Sequence, residues 1–302
     1  MRRWWTDAAA AARLVADRPT LWLPGALCWL VTVGWIPLIV AVTRPPNVAD
    51  LTFLGAAIFT SGAWPWNAVA IGAGAFAVVA VAVGVAAIGE AILIAGIRRR
   101  RPSAADVLRL IGVTVVTAAP VAAAGMVLAF ALATIAVTEF TSPDAGAGPV
   151  LRTIGRAAPF AALAVMTVVI GSTLHAAAAR AVIGSRADLV EALASSPRRL
   201  AHAGTPGLAQ VASVLVLRLA YVAASAVLLA TLWTPIGARL TRDGFDLATS
   251  LLLVGFVAIW LCLVLAGGAL HAWGSVTWTA VLERGARRHR AGSITEEAPA
   301  EP

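Results

Sequence analysis

Six long stretches of apolar residues alternate along the chain with short polar segments that carry arginines. The apolar runs cover residues 20–42, 67–97, 108–137, 157–183, 207–236 and 247–280. Each run reaches the roughly 20 residues that an α-helix needs to cross the hydrocarbon core of a bilayer. The pattern predicts an all-α, polytopic membrane protein with six transmembrane helices, arranged as three helical hairpins.

A polar motif recurs after the second and the fourth apolar runs. Residues 89–108 align without a gap on residues 171–190, which places Arg98 on Arg180, Ser103 on Ser185 and Asp106 on Asp188. In both copies a serine is followed three residues later by an aspartate, a spacing typical of a capping box at the start of a helix. Each copy predicts an amphipathic helix on the inner leaflet before the next span.

A looser third copy, "DAAAAARLVADRP", precedes the first span. The copies divide the predicted membrane domain, residues 1–290, into repeats of approximately 1–101, 102–184 and 185–290. Successive repeats share one orientation, which predicts parallel repeats. The alternative is chance self-similarity in a chain rich in alanine, valine and arginine. The acidic tail, 291–302, is predicted to be disordered by its composition.

Composition agrees with a membrane setting. Of the 302 residues, 60% are hydrophobic and 13% are charged, whereas soluble domains have about 45–50% apolar and about 25% charged residues. All 23 basic side chains are arginine, a bias that suggests a GC-rich bacterial genome. Cys28 and Cys262 lie far apart in apolar runs and are interpreted as buried hydrophobic residues. No metal site or cofactor is predicted.

The arginines lie mainly at the ends of the apolar runs. Predicted loops on one side of the membrane carry about three times as many as those on the other, and the richer side is expected to be cytoplasmic. The expected location is the bacterial cytoplasmic (inner) membrane, crossed several times, with both termini in the cytoplasm. The net charge of +8 then indicates phospholipid partners and not nucleic acid. The predicted headgroup contacts are Arg98, Arg99, Arg100, Arg101, Arg198 and Arg199.

Four ionisable residues fall inside the predicted spans, where such groups usually face the protein interior. Glu90, His175, Arg218 and His271 lie roughly 12–18 Å from the arginine-rich ends of their helices, at 1.5 Å of rise per residue. One interpretation is a polar layer on a substrate or proton path, with a Glu90–Arg218 ion pair. The other, which we favour, is that this pair neutralises itself and fixes helix packing. Either interpretation predicts that Glu90 and Arg218 lie in or near salt-bridge contact.

No enzyme signature accompanies these residues: the chain has no H-E-x-x-H, no G-x-S-x-G and no Walker A motif, so no catalytic residue is predicted. No span carries a clear Gly/Pro pair at its centre, so discontinuous helices are not expected. Pro120 is expected to kink the third span.

The segments "RLVADRPTLWLPGAL", "GIRRRRPSAADVL" and "AVIGSRADLVEAL" together resemble a group of bacterial six-helix membrane proteins. Its best-known relatives are the membrane domains attached to some glycerophosphodiester phosphodiesterases. The catalytic barrel of those enzymes has no counterpart here. The resemblance therefore implies an accessory membrane domain without phosphodiesterase activity.

The expected function is that of a non-enzymatic membrane component that contacts or handles lipid or a small solute, alone or as a subunit of a larger complex. The alternative is a structural or assembly partner with no substrate of its own. Either role allows a homo-oligomer or another membrane protein as the partner.

Overall fold

The computed structural model describes residues 2–43, 60, 62–140, 148–242 and 244–296, and every regular element in these ranges is helical. Helices α4 to α8 are each long and apolar enough to cross a membrane, and a bent segment that contains α2 and α3 is a sixth candidate. The predicted all-α class is therefore confirmed, and the long apolar helices support the predicted membrane setting. The α-helices are α1 (Arg2–Asp17), α2 (Trp22–Trp29), α3 (Ile36–Val42), α4 (Trp66–Ile97), α5 (Ala104–Phe140), α6 (Gly148–Ser185), α7 (Leu189–Arg242) and α8 (Leu247–Glu296).

The first apolar run does not form the straight span that the sequence predicts. A five-residue π-helical turn, Leu30–Gly34, separates α2 from α3, and the two parts meet at 45°. Pro37 has no backbone N–H to continue the hydrogen-bonding ladder, so the chain bends before it. The indole of Trp260 donates to the carbonyl oxygen of Gly34 at 3.1 Å and so satisfies a backbone group at the break. The expectation that no span would be discontinuous is wrong here.

The three predicted amphipathic helices differ in form. The first, α1, is a separate helix joined to α2 through the short 3₁₀ turn Pro19–Leu21. The third is the first part of α7, which breaks at Gly204 (φ 57°, ψ −145°) before the apolar part begins. The second is not separate, because Ala104–Phe140 is one continuous helix with Pro120 inside it.

The two predicted capping boxes also differ. The Asp106 backbone N–H donates to Ser103 Oγ at 3.1 Å, and the Ser103 backbone N–H donates to Asp106 Oδ2 at 3.0 Å, which is the reciprocal capping box. In the other copy Ser185 still belongs to α6, and its hydroxyl donates back to the Ala181 carbonyl. Asp188 caps α7 alone, since Oδ1 accepts the Glu191 N–H at 2.8 Å.

Glycines allow close helix packing near the arginine-rich end of the bundle, which holds Arg98–Arg101. Helices α2 and α8 cross at Gly25 and Gly268, where the backbones touch: a Cβ on Gly268 would lie 2.6 Å from Ala26 Cα. Helices α2 and α4 meet at Gly89, whose added Cβ would lie 2.7 Å from Cys28 Sγ. Small residues at such positions bring backbones together in membranes.

Helix α1 packs across the arginine-rich end against α7 and α8. The Trp4 indole donates to Gln210 Oε1 at 3.1 Å, and the Trp273 indole donates to the Ala8 carbonyl at 2.9 Å. Asp7 forms an ion pair with Arg284. The amphipathic helix is therefore part of the protein core on its apolar side.

The opposite half of the bundle is divided into three groups of helices. Helix α4 stands apart there, since every residue from 69 to 81 is exposed. Helices α5 and α6 pack on each other, and α3, α7 and α8 form a third group around Leu229, Ile236 and Phe256. We call the space that separates these three groups the opening.

At the opposite end, α8 begins at an Asp246 cap. The Asp246 Oδ1 atom accepts the Thr249 backbone N–H at 2.6 Å, and hydrogen bonding by Thr249 lowers the pKa of this exposed carboxyl. At its other end α8 runs to Glu296, into the segment predicted to be disordered, and residues 297–302 lie outside the described part. Cys28 is buried as expected, but Cys262 is exposed on α8.

Candidate functional site

A cluster of polar side chains lies in the membrane-spanning part where the three groups of helices meet. Glu90 comes from α4, Arg180 from α6, Arg218 from α7, and both His271 and Ser275 from α8. Alanines at 0–1% exposure surround it, and their small size lets the four helices converge. Three of these residues, Glu90, Arg218 and His271, were singled out from the sequence.

His271 is the centre of the cluster. Its Nε2 atom lies 2.9 Å from Glu90 Oε2, and its Nδ1 atom lies 2.7 Å from Arg218 Nη2. A guanidinium can only donate, so Nδ1 must accept with its lone pair. The ring proton then sits on Nε2 and is donated to the Glu90 carboxylate. The geometry therefore fixes one tautomer of a neutral imidazole between two charged groups.

The predicted direct Glu90–Arg218 ion pair is replaced by this relay through His271. Among the described residues, the guanidinium nearest to the Glu90 carboxylate is that of Arg180, with Nη1 3.8 Å from Oε1. Ser275 Oγ also lies 3.4 Å from Oε1. Counting residues along each helix placed Glu90 and Arg218 at one depth but could not show which side chain lies between them.

Arg180 is the functional residue that sequence reasoning missed. Its side chain is only 4% exposed, and the repeat alignment had matched it with Arg98 at the end of a span. Its Nε donates to Thr279 Oγ1 at 3.0 Å, Nη1 to the Ala176 carbonyl at 2.8 Å, and Nη2 to the carbonyl and hydroxyl of Ser275. The signal was its position inside the apolar run 157–183, after four alanines.

Arg98 and Arg180, which the predicted repeat aligns with each other, both contact α8. Arg98 Nη2 pairs with Glu283 at 2.8 Å, nearer the arginine-rich end, and the guanidinium packs against Gly184. The two aligned positions thus hold a salt bridge near the arginine-rich end in one case and a buried cation with four hydrogen bonds in the other.

His175, the fourth predicted member of the layer, stands beside the cluster. Its Nδ1 lies 3.4 Å from Thr117 Oγ1 on α5. Since the Thr117 hydroxyl donates to the Val113 carbonyl at 2.8 Å, it accepts from the histidine. His175 is near enough to Glu90 and Arg218 for electrostatic interaction but has no hydrogen bond to them among the described contacts.

Cys28, Glu90 and His271 bring a sulfur, a carboxylate oxygen and a ring nitrogen within 4.8 Å of one another, a set that could hold a metal ion. The surrounding contacts oppose this use. A metal would need the lone pair of His271 Nε2, which carries the proton because Arg218 occupies Nδ1. Two guanidiniums beside the site add a further electrostatic cost for a cation. The chemistry of the cluster is that of a hydrogen-bonded charge network.

The six arginines predicted to contact headgroups fall into two sets. Arg98 binds Glu283, Arg100 Nη2 lies 3.3 Å from Asp106, and Arg199 donates to Ser195 and Ser185. The other three, Arg99, Arg101 and Arg198, are exposed.

The fold and the cluster define a polytopic helical membrane protein with a charged network at the junction of its helices. No protein-family model matches the chain, and no curated protein and no solved structure matches it either.

Proposed function

We propose that the chain is a non-enzymatic protein of the bacterial cytoplasmic membrane that binds lipid in the opening between its three groups of helices. The arginine-rich end faces the cytoplasm in this proposal, following the excess of arginines on that side. The observation that carries the proposal is the divergence of the helices beyond the level of the polar cluster.

The walls of the opening have the chemistry of hydrocarbon. On the α4 side, Phe76, Val78 and Val81 are 66–75% exposed. Ile170 on α6 and Val216 on α7 are also exposed, at 50% and 62%, and we propose that they face the same space. Every residue of α4 from 69 to 81 is exposed, so this part of the helix is not covered by its neighbours. Exposed apolar surface in a bilayer is covered by acyl chains, and a space between helices that opens sideways admits them.

The floor of the opening is polar. Glu90 and His271 have side-chain exposures of 10% and 14%, and His175 and Arg218 are half-buried. An amphiphile has the matching distribution of groups, with an apolar body and one polar end. A small polar solute would leave the apolar walls without a partner.

Native mass spectrometry of the protein extracted from its membrane with mild detergent tests the proposal. We expect lipid to remain bound at a fixed stoichiometry after dilution of free lipid. A photo-crosslinking residue introduced at position 78 should form an adduct with a lipid acyl chain, and such an adduct would place the lipid at the α4 wall. A matched probe at exposed Val254 on α8, in the same half, reports ordinary lipid contact. Equal labelling at both positions and no retained lipid would refute the proposal.

A second role, that of a scaffold for another membrane protein, is favoured by one observation. The exposed part of α4 includes Gly72 and Gly74, and a Cβ added at either would meet nothing within 4 Å. Small residues on an exposed helix allow close packing by another transmembrane helix. Stoichiometry distinguishes the two roles, because a scaffold would be purified with a second chain and its α4 probe would crosslink to protein.

A further inference from the structure

The two arginines of the cluster differ in how much of their hydrogen-bonding capacity the protein uses. A guanidinium has five N–H donors. Arg180 donates to four acceptor atoms, on Ala176, Ser275 and Thr279. Arg218 has one hydrogen-bond partner among the described residues, His271 Nδ1. Arg180 therefore uses four of its five donors, whereas Arg218 keeps several donors that the protein does not occupy.

The unused donors of Arg218 are accessible. Among the described residues, two arginine nitrogens are fully buried and lack a hydrogen-bond partner, Arg98 Nε and Arg100 Nε. No nitrogen of Arg218 belongs to this set. The free nitrogens of Arg218 are therefore not enclosed. Its guanidinium lies near Cys28 on α2, Glu90 on α4 and His271 on α8, which places it at the floor of the opening.

The cluster also carries an uncompensated positive charge. Arg180 and Arg218 contribute two positive charges, Glu90 contributes one negative charge, and His271 is neutral, which leaves a net charge of +1. An unpaired charge inside a membrane is costly and is usually matched by a partner or a ligand. The neighbouring Arg98–Glu283 pair has no net charge, so it does not change the net charge of +1 in the cluster.

We propose that Arg218 binds an acidic oxygen, a phosphate or a carboxylate, at the polar end of an anionic lipid whose apolar body fills the opening. This inference rests on the proposed lipid binding and specifies its chemical class. Guanidinium donors fit such oxygens in a bidentate manner. One bound anion neutralises the cluster, while His271 stays in place because its own bond to Arg218 uses a single nitrogen.

The test uses the full chain in nanodiscs made of phosphatidylethanolamine that contain a few per cent of either phosphatidylglycerol or additional phosphatidylethanolamine. Native mass spectrometry measures the lipid retained on the protein. We expect one phosphatidylglycerol to be retained in preference to the zwitterionic lipid. Charge-assisted hydrogen bonds in such a site imply an affinity loss of about tenfold to a hundredfold in R218Q.

The matched control is R242Q, at the exposed opposite end of the same helix, which removes the same charge away from the cluster and should keep the bound lipid. R218K keeps the charge but not the planar fork, so it should recover part of the binding. Inorganic phosphate added to the wild-type protein distinguishes the source of the anion: displacement of the lipid by millimolar phosphate would show a free-anion site and overturn the lipid assignment.

The two proposals fail in different ways. Retained lipid with no preference for phosphatidylglycerol, or a preference unchanged in R218Q, overturns the role of Arg218 and leaves lipid binding intact. Absence of any retained lipid in the wild-type protein overturns both. If R218Q does not fold, the preference of the wild-type protein and the R218K result still decide between these outcomes.

Discussion

The contact of α2 with α8 gives a sharp test of the packing, through the substitution Gly268→Ala. An added Cβ would lie 2.6 Å from Ala26 Cα, whereas carbon atoms pack at about 3.5–4.0 Å. The obstacle is backbone and cannot rotate away, so the helices must separate by roughly 1 Å. Overpacking of this kind costs about 1–3 kcal/mol, against a gain of at most about 1 kcal/mol from the better helix propensity of alanine. Because the clash at 2.6 Å is with backbone, the cost should lie at the upper end of this range, and we expect a net loss of about 2 kcal/mol.

The matched control lies on the same helix. A Cβ added at Gly255 would meet nothing within 4 Å, so Gly255→Ala should leave stability unchanged or raise it slightly. Buried Cys28 can report unfolding through its reaction with a maleimide dye, in a background in which exposed Cys262 is replaced by serine. The dye should react at a lower temperature in the Gly268 variant alone.

Because Gly268 lies one turn from His271, displacement of α8 should also lengthen the 2.9 Å bond from His271 to Glu90. We therefore expect the Gly268 variant to retain less lipid than the Gly255 variant. Equal melting temperatures for the two variants would refute the close crossing of α2 and α8, and with it the reason given for the convergence of the polar residues.

Three further predictions concern charge, capping and orientation. Glu90→Gln leaves two guanidiniums without their carboxylate and should destabilise the fold by about 3–5 kcal/mol. Size-exclusion chromatography should show a loss of monodisperse protein. A normal yield of monodisperse protein would contradict the charge network. Ser103→Ala removes the capping box and should lower the free energy of unfolding by about 1 kcal/mol. The hydroxyl of Ser185 bonds within its own helix, so Ser185→Ala should change the melting temperature little. Equal losses in the two variants would contradict the role of the capping box. A cysteine at Arg287 should react with an impermeant label only after the cells are opened, and one at Arg242 in intact cells; the reverse pattern would invert the proposed orientation.

The sequence predicted the helical class and the depth of the polar residues well, because both depend on local properties. Run length against bilayer thickness identifies candidate spans, and a fixed rise per residue places Glu90 and His271 at one level. Neither property depends on which helices are neighbours. The bend before Pro37 was not predicted, because the proline lies near the end of the apolar run and does not interrupt its hydrophobic pattern.

The partners inside the cluster could not be predicted in the same way. Rotation of each helix about its axis decides whether Arg218 meets Glu90 directly or through His271, and that rotation is fixed by glycine contacts far apart in sequence. Arg180 was missed for a related reason. The residue aligned with it in the predicted repeat, Arg98, lies near the end of its helix. The alignment could not show that α8 binds the two arginines at different depths.

The attachment of α1 has a consequence for biogenesis. This helix is synthesised before α7 and α8, yet its contacts lie on them: Gln210 follows Trp4 by 206 residues and Trp273 follows Ala8 by 265. During translation α1 must therefore remain at the membrane surface until α7 and α8 have been inserted. Its native contacts form only after these two later helices are in place, although it precedes both in the chain.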